Sequence, residues 1–307
     1  LNADLAVVIV SYNTAPLLRC CLRSLQTSLA RSPDVTAQVV VADNASRDES
    51  PSVVAREFPS VRLLQLGDNR GFGAANNLAV RETSSTYILF LNPDTEVLGD
   101  APGALLRFMA RRPDVGLAGA RLLNPDLSFQ HSCFRFPTLA MTFLDFFPIH
   151  HRIANGWING RYPRRCYERP FRIDHPLGAC MLVRRDVFDR VGGFDESFFM
   201  YSEEVDLCYR IAQAGWQIWY CPDAEIVHHQ GASARQSPGP MLLELHRSRD
   251  RFYRRHRGEL YAWLGRQIVR LGMAAATRRA RHEWRLGYLS ETELERRIVL
   301  YREVAVG

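Results

Sequence analysis

The residues best suited to chemistry fall in a few short segments. Asn92-Pro93-Asp94 follows directly on the apolar run Tyr87–Leu91. A carboxylate there can hold a hard divalent cation, which uses one or two carboxylates and completes its shell with phosphate oxygens. The same three residues also make a good turn with no ion. Asp43-Asn44-Ala45-Ser46 closes another β-rich run. Its carboxylate can accept a hydrogen bond from a base N–H or a ribose hydroxyl, and Ser46 with Glu49 is predicted to form a capping box opening a helix over 46–58. Asp195, Glu196, Glu203, Glu204 and Asp206 form an acidic cluster. Glu203, Glu204 and Asp206 are candidates for a general base taking a proton from a hydroxyl, although acids at a helix start also answer the helix dipole. His228-His229, just beyond a predicted strand, can complete a metal site or contact a diphosphate; a structural histidine is the plainer alternative.

The segment Asn69–Asn77 is a glycine-containing loop that opens a helix. A helix N-terminus favours anions, and Arg70 adds a planar cationic fork. Asn76 stands where the third glycine of a dinucleotide fingerprint would be, which argues against a Rossmann site.

Short apolar runs alternate with helical patterns through the first 120 residues. Strands are predicted at 5–10, 38–42, 61–66 and 87–91. Helices are predicted from Pro16, with Leu18, Leu22, Leu25 and Leu29 on one face, and at 74–81 and 100–111. This rhythm implies an α/β fold with a mainly parallel sheet between helical layers. Ligands bind such sheets at the carboxyl ends of the strands, where Ser11-Tyr12-Asn13, Asp43-Asn44 and Asn92-Pro93-Asp94 would sit together. From 124 to 172 the pattern loosens into Phe-, Arg- and Pro-rich loops suited to a substrate lid. Further elements are predicted at 178–183, 186–191, 203–214 and 217–221, and the chain turns helical after Ser237-Pro238-Gly239-Pro240. The implied division is 1–120, 121–236 and an Arg-rich helical segment, 237–307.

The chain has 307 residues, 47% hydrophobic and 23% charged, which is ordinary for a globular enzyme. Its 39 basic residues are all arginine, and the net charge is +6. Without lysine there is no Walker A loop, and a sugar nucleotidyltransferase would lack its usual catalytic lysine. A nucleic-acid-binding module is the other alternative the arginines suggest; the acidic cluster opposes it, so no nucleic acid is expected as a partner. The seven cysteines form no C-x-x-C pair, and free thiols in a cytoplasmic protein are expected. No apolar run reaches membrane-spanning length, and Leu5–Val10 reads as a strand and not as a signal-peptide core. Leu260, Leu264, Ile268 and Leu271 form an apolar helical stripe beside Arg266 and Arg270. It suits either an interfacial helix at a membrane surface or a packed or homodimeric face.

Taken in order, Val10–Asn13, Asp43–Ser46, Asn69–Asn77, Leu91–Asp94, Gly192–Glu196 and Glu203–Cys208 resemble the motifs of family 2 glycosyltransferases, and more narrowly the bacterial rhamnosyltransferase-type members. The resemblance covers residues 5–233. It implies a GT-A fold and an inverting single displacement from a nucleoside-diphosphate sugar, dTDP- or UDP-linked. The acceptor would be a saccharide or a polyprenyl-diphosphate-linked saccharide, as in cell-surface polysaccharide synthesis, with possible contact at the inner face of the membrane. By resemblance Ser11, Tyr12, Asn13, Asp43, Asn44, Arg70, Gly71 and Asn76 bind the donor. Asn92 and Asp94 occupy the position of the family's DxD motif, with Asn92 replacing its first Asp. Asp94 and His228 are the implied contacts of Mg2+ or Mn2+. The family's catalytic Asp is replaced by Glu204, with Glu203 or Asp206 able to share the role.

Overall fold

The computed structural model describes residues 3–147, 156–230 and 238–306. The chain divides into two compact units. The first comprises residues 1–135, 162–199 and 203–236, and the second 136–161, 200–202 and 237–307.

The first unit is built on a 9-stranded sheet. Its strands are β1 (Ala3–Ser11), β2 (Ala37–Asp43), β3 (Arg62–Gln65), β4 (Ser85–Leu91), β5 (Thr95–Val97), β6 (Val115–Leu123), β8 (Phe171–Arg172), β10 (Cys180–Arg184) and β11 (Gln217–His228). A separate pair joins β7 (Cys133–Phe134) to β9 (His175–Pro176). The order is β3-β2-β1-β4-β10-β6-β11-β5, with β8 beside β11. The strands β1 to β4 are mutually parallel, as are β6 and β11, while β10 runs against both β4 and β6.

The helices of this unit are α1 (Ala15–Leu29), α2 (Ser50–Glu57), α3 (Phe72–Arg81), α4 (Ala101–Ala110), α6 (Arg185–Arg190) and α7 (Glu203–Gln213); α5 (Leu139–Phe146) belongs to the second unit. Pro16 in the first turn of α1 fits because its missing N–H would be unpaired there. Leu18, Leu22 and Leu25 are 0%, 0% and 1% exposed, and each such buried side chain is worth about 1.5–3 kcal/mol. They pack with Leu5, Val7 and Ile9, alternate residues of β1, and with Leu105 and Met109 of α4. On β4, Leu89 and Leu91 share that core, whereas the intervening Phe90 meets Phe188 and Phe194 at centroid distances of 5.4 and 4.9 Å. Both faces of the sheet are therefore covered.

Three observations depart from the sequence expectations. The central strand β6 was not predicted because Gly116, Ala118, Gly119 and Ala120 have poor strand propensity. Packing requires the glycines: a Cβ on Gly119 would lie 2.4 Å from Pro176 Cβ, and one on Gly116 would lie 2.9 Å from Trp216 Cβ. Second, β11 does not stop at Cys221. A register shift between Cys221 and Glu225 absorbs Pro222, and the strand continues to His228. Third, the predicted capping box is absent. The helix begins at Ser50, not Ser46, because the Ser46 hydroxyl accepts the Asn13 N–H at 2.9 Å and the Ser46 N–H donates to Asp43 Oδ2 at 3.0 Å.

The second unit contains α5, α8 (Pro238–Arg257), α9 (Glu259–Arg285) and α10 (Glu291–Val306). Phe146, Met273 and Val304 form its small apolar core, with Ile268 and Val269 packed against them. Of the predicted stripe on α9, Ile268 joins this core, while Leu260, Leu264 and Leu271 are 72%, 39% and 64% exposed. Residues 148–155, part of the stretch read as a lid, lie outside the described residues.

Candidate active site

Strand register sets the site. Ser11 pairs with Asp43, and Val8 pairs with Phe90, so three residues further along, Ser11 is level with Pro93. The polar ends of β2, β1 and β4 thus share one edge, neighbouring strands being about 4.8 Å apart. The loops leaving this edge turn through left-handed backbone at Asn13, Ala45 and Gln230, with φ of 52°, 63° and 47°. Non-glycine residues seldom adopt such angles, and they concentrate at functional edges.

Asp43 and Asn44 are each 3% exposed. Oδ2 of Asp43 accepts the Ser46 N–H, whereas its Oδ1 is buried and has no hydrogen-bond partner. A buried carboxylate oxygen left this way costs free energy unless a ligand donor reaches it. Asn44 ties the end of β2 to the glycine loop: its Nδ2 donates to Asn69 Oδ1 at 2.7 Å and to Gly71 O at 3.2 Å, and its Oδ1 accepts the Arg70 N–H at 2.9 Å. Gly71 takes φ +81° and passes so close to Phe199 that a Cβ would lie 2.2 Å from its carbonyl oxygen. The Phe72 N–H at the start of α3 donates to that oxygen at 3.0 Å. This amide is therefore already paired with protein and not directed to an anion.

Other donor candidates occupy several settings. Ser11 is fully buried, with its hydroxyl 3.0 Å from that of Thr14. Asn13 accepts the Arg47 N–H at 2.7 Å, and Tyr12 is half-buried beside it. The Arg70 guanidinium is exposed and paired with Asp68 at 3.0 Å. Asn76 is buried, and its Nδ2 donates to Phe72 O within the same helix at 2.9 Å. Its neighbour Asn77, given no role from sequence, binds Phe194 O, Phe194 N and Glu196 Oε1 and so fixes the Gly192–Glu196 turn.

Asp94 and His228 come together because β11 pairs with β5, bringing His228 opposite Thr95. Asp94 Oδ1 lies 3.5 Å from His228 Nε2, with the two residues 7% and 6% exposed. Behind the ring, Gln130 donates through Nε2 to Asn124 Oδ1 at 2.9 Å and to His228 O at 3.1 Å. These donations orient the amide so that its Oε1 faces His228 Nδ1, 2.9 Å away. An amide oxygen only accepts, so the ring proton sits on Nδ1. In the neutral ring the Nε2 lone pair then faces the Asp94 carboxylate, a donor set suited to a divalent cation with an oriented outer partner. Asn92 adds a buried Oδ1 with no hydrogen-bond partner. Among the described residues no group of three or more His, Cys, Asp or Glu is gathered for a metal. Such a two-residue set fits a cation that draws further ligands from a bound diphosphate.

The three acidic candidates separate by environment. Asp206 is fully buried and neutralised by Arg210 at 2.7 Å. Arg210 also donates to Val191 O and Gly193 O, anchoring the glycine turn. Glu203 is buried with its Cβ facing α3 near Gly73. Glu204 is half-buried against Gly178, where a Cβ would come within 3.4 Å of its Cγ. The adjoining Ala179 carbonyl accepts the Asn92 N–H at 2.9 Å, so Glu204 stands beside the end of β4. Burial pushes its carboxyl pKa upward, the direction a general base near neutrality needs.

The mainly parallel sheet carries acidic and amide side chains at its carboxyl edge, where α/β sheets bind their ligands, and its architecture is the GT-A fold. Two solved structures share the fold: GalNAc-T7 with UDP, GalNAc and Mn2+ (TM-score 0.60, 16% identity, 82% of this chain) and the mannosyltransferase PcManGT of Pyrobaculum calidifontis in complex with GDP-Man and Mn2+ (TM-score 0.57, 16% identity, all of this chain and 86% of that one). The chain spans 50% of the GalNAc-T7 chain. Residues 6–192 match the model of glycosyl transferase family 2, and the chain belongs to that family. It is 34% identical over 260 residues to the N-acetylglucosaminyl-diphospho-decaprenol L-rhamnosyltransferase of Mycobacterium tuberculosis, covering 80% of this chain and 82% of that protein. It is 26% identical over 232 residues to the rhamnosyltransferase WbbL of Escherichia coli K12, covering 73% and 82%. The protein is a glycosyltransferase that draws on a nucleotide sugar.

Proposed function

We propose that the protein transfers rhamnose with inversion from a dTDP- or UDP-sugar to a hydroxyl of a polyprenyl-diphosphate-linked saccharide. The observation that carries the donor site is the buried Asp43 Oδ1, without a protein partner at the ligand-binding edge of the sheet. In this reading Asp43 accepts the N3–H of a uracil or thymine base, Asn44 holds the Gly71 loop in place, and Ser11–Asn13 wall the base pocket. Asp94 and His228 hold Mg2+ or Mn2+. When bound, the cation supplies positive charge for the departing diphosphate. Glu204 removes the acceptor hydroxyl proton as that oxygen bonds to the anomeric carbon and the bond from that carbon to the diphosphate breaks. Residues 1–120 serve the donor, 121–236 the base and acceptor, and 237–307 the lipid end.

Two relatives, an N-acetylglucosaminyl-diphospho-decaprenol L-rhamnosyltransferase and a rhamnosyltransferase, support this sugar, and the first supports this acceptor class. A membrane-facing role rests on α9. Leu260, Trp263, Leu264 and Leu271 are exposed and share one helical face, and Arg270, Arg278, Arg279 and Arg281 are exposed on the same helix. We assign this face to the anionic inner surface of the membrane; a homodimer through the stripe is the competing outcome. No described helix is long and apolar enough to cross a membrane.

A thermal-shift panel of UDP, dTDP and GDP, with and without Mn2+, tests the donor reading. A ligand of the native state raises Tm by mass action. Stabilisation by UDP or dTDP, lost in Asp43→Ala, is expected. A GDP preference, or an unchanged shift in Asp43→Ala, would overturn the base assignment.

A further inference from the structure

The C-terminal helical unit holds a cleft of about 620 Å3 between α8, α9 and the end of α10. Arg247, Arg249, Arg251, Arg254, Arg266 and Arg270 line it, against one carboxylate, Asp250. Asp250 is already shared by Arg254 and Arg266 at 2.8 Å each, and Asp145 holds Arg249 at 2.5 Å. Arg247 has no ion pair among the described residues. The Nε of Arg270 donates only to a backbone oxygen, that of Ala305, at 3.1 Å. The cleft thus concentrates positive charge beyond what its carboxylates neutralise. Leu243, Val269 and Val304–Val306 form an apolar part of the wall, and Thr142 and His246 also line the cleft. Among the described residues Tyr253 is the one Tyr, Phe or Trp of the lining, and at 1% exposure it offers no platform for stacking bases.

We infer that this cleft binds a phosphomonoester or diphosphate group. Guanidinium forks match phosphate oxygens in geometry and charge, and the adjoining apolar wall suits an alkyl chain leaving that group. The two sources of such a group are a lipid headgroup and a free phosphate. Every residue of the cleft belongs to the helical unit, and the inference stands without the donor-site reading.

The test uses the full chain. Inorganic pyrophosphate is titrated by calorimetry, and cosedimentation is measured with phosphatidylcholine vesicles containing either phosphatidic acid or phosphatidylglycerol at matched surface charge. The variants are Arg247→Ala/Arg270→Ala and, keeping charge, Arg247→Lys/Arg270→Lys. The inference expects binding of pyrophosphate, or of phosphatidic acid vesicles in preference to phosphatidylglycerol vesicles. The first result identifies a free anion as sufficient, and the second identifies a lipid-borne group. The alanine pair should weaken binding roughly thirtyfold, about fivefold per arginine, with partial recovery in the lysine pair. Stabilisation by dTDP should be unchanged in both, which separates failure of the cleft from failure of the donor site. Equal binding to both vesicle types without pyrophosphate binding, or affinity unaffected by the alanine pair, overturns the inference.

Discussion

His228 Nε2 lies 3.5 Å from Asp94 Oδ1, at the junction of β5 and β11, with both side chains largely buried. The contact depends on residues far from both in sequence. Gln130, 98 residues before His228, fixes the ring proton on Nδ1 and is itself held by Asn124.

Gln130→Leu should therefore weaken cation binding without removing a cation ligand. Loss of such an outer partner typically costs about 10–100-fold in metal affinity. Calorimetric titration of Mn2+ in the presence of dTDP measures this directly, and Gln130→Glu, which keeps an acceptor at Nδ1, should recover most of the affinity. Equal Mn2+ affinity in Gln130→Leu and the parent protein would mean that His228 is not a cation ligand.

Glu204→Gln should abolish transfer and yet stabilise the protein. Burial raises the carboxyl pKa above its ordinary value of 4.5, so the folded state favours the protonated form. The unfolded chain binds fewer protons than the folded one between the two pKa values, and stability falls as pH rises through that window. An uncharged isostere avoids the cost, and Tm at neutral pH should rise by about 2 °C. Transfer by the parent should increase with pH as Glu204 ionises. Residual turnover near the parent level would remove Glu204 from the role of base, and a lower Tm in the variant would show that the buried carboxylate is not a cost to the fold.

What the sequence conveyed of this site differs by residue. The ends of β1, β2 and β4 were legible because runs of Val, Ile and Leu stop at polar residues, and a parallel sheet brings such ends to one edge. Side-chain direction was not legible. The sequence suggests Arg70 and Asn76 as donor contacts but gives no sign that Arg70 pairs with Asp68 or that Asn76 bonds within its own helix. Gln130 and Asn77 left no local signal, since their partners lie 98 and 117 residues away. The central strand β6 was hidden by glycines that its neighbours require, and the strand carrying His228 was cut short by a proline that a bulge accommodates.

Asn44→Ala should loosen the Gly71 loop by removing its bonds to Asn69, Gly71 and Arg70 at once. Buried side-chain hydrogen bonds of this kind are each worth about 1 kcal/mol, and the partners left unpaired add to the loss. A stability loss of about 2–3 kcal/mol is expected, together with a raised KM for the nucleotide sugar and a smaller change in kcat. Denaturant unfolding and steady-state kinetics read the two effects separately. A fall in kcat alone would place Asn44 with the reacting atoms and not with the loop.

The helical unit should carry its own acid sensitivity through His246. Its ring stacks on Phe146 at a centroid distance of 5.5 Å, and its Nδ1 is buried without a hydrogen-bond partner. Burial lowers its pKa from 6.5 to about 4, with nearby Arg249 acting in the same direction. Between those values the unfolded chain binds the proton and the folded chain does not. Stability is therefore complete above about pH 6.5 and is lost as pH falls towards 4. A shift of this size corresponds to a loss on the order of 3 kcal/mol across the window. His246→Phe keeps an aromatic ring against Phe146 and removes the titration. Comparing the unfolding of parent and variant between pH 4 and pH 7 cancels the contributions of Asp145 and Asp250, which both proteins retain. The variant should lose less stability on acidification than the parent; parallel stability curves would show that His246 remains accessible to protons in the folded state.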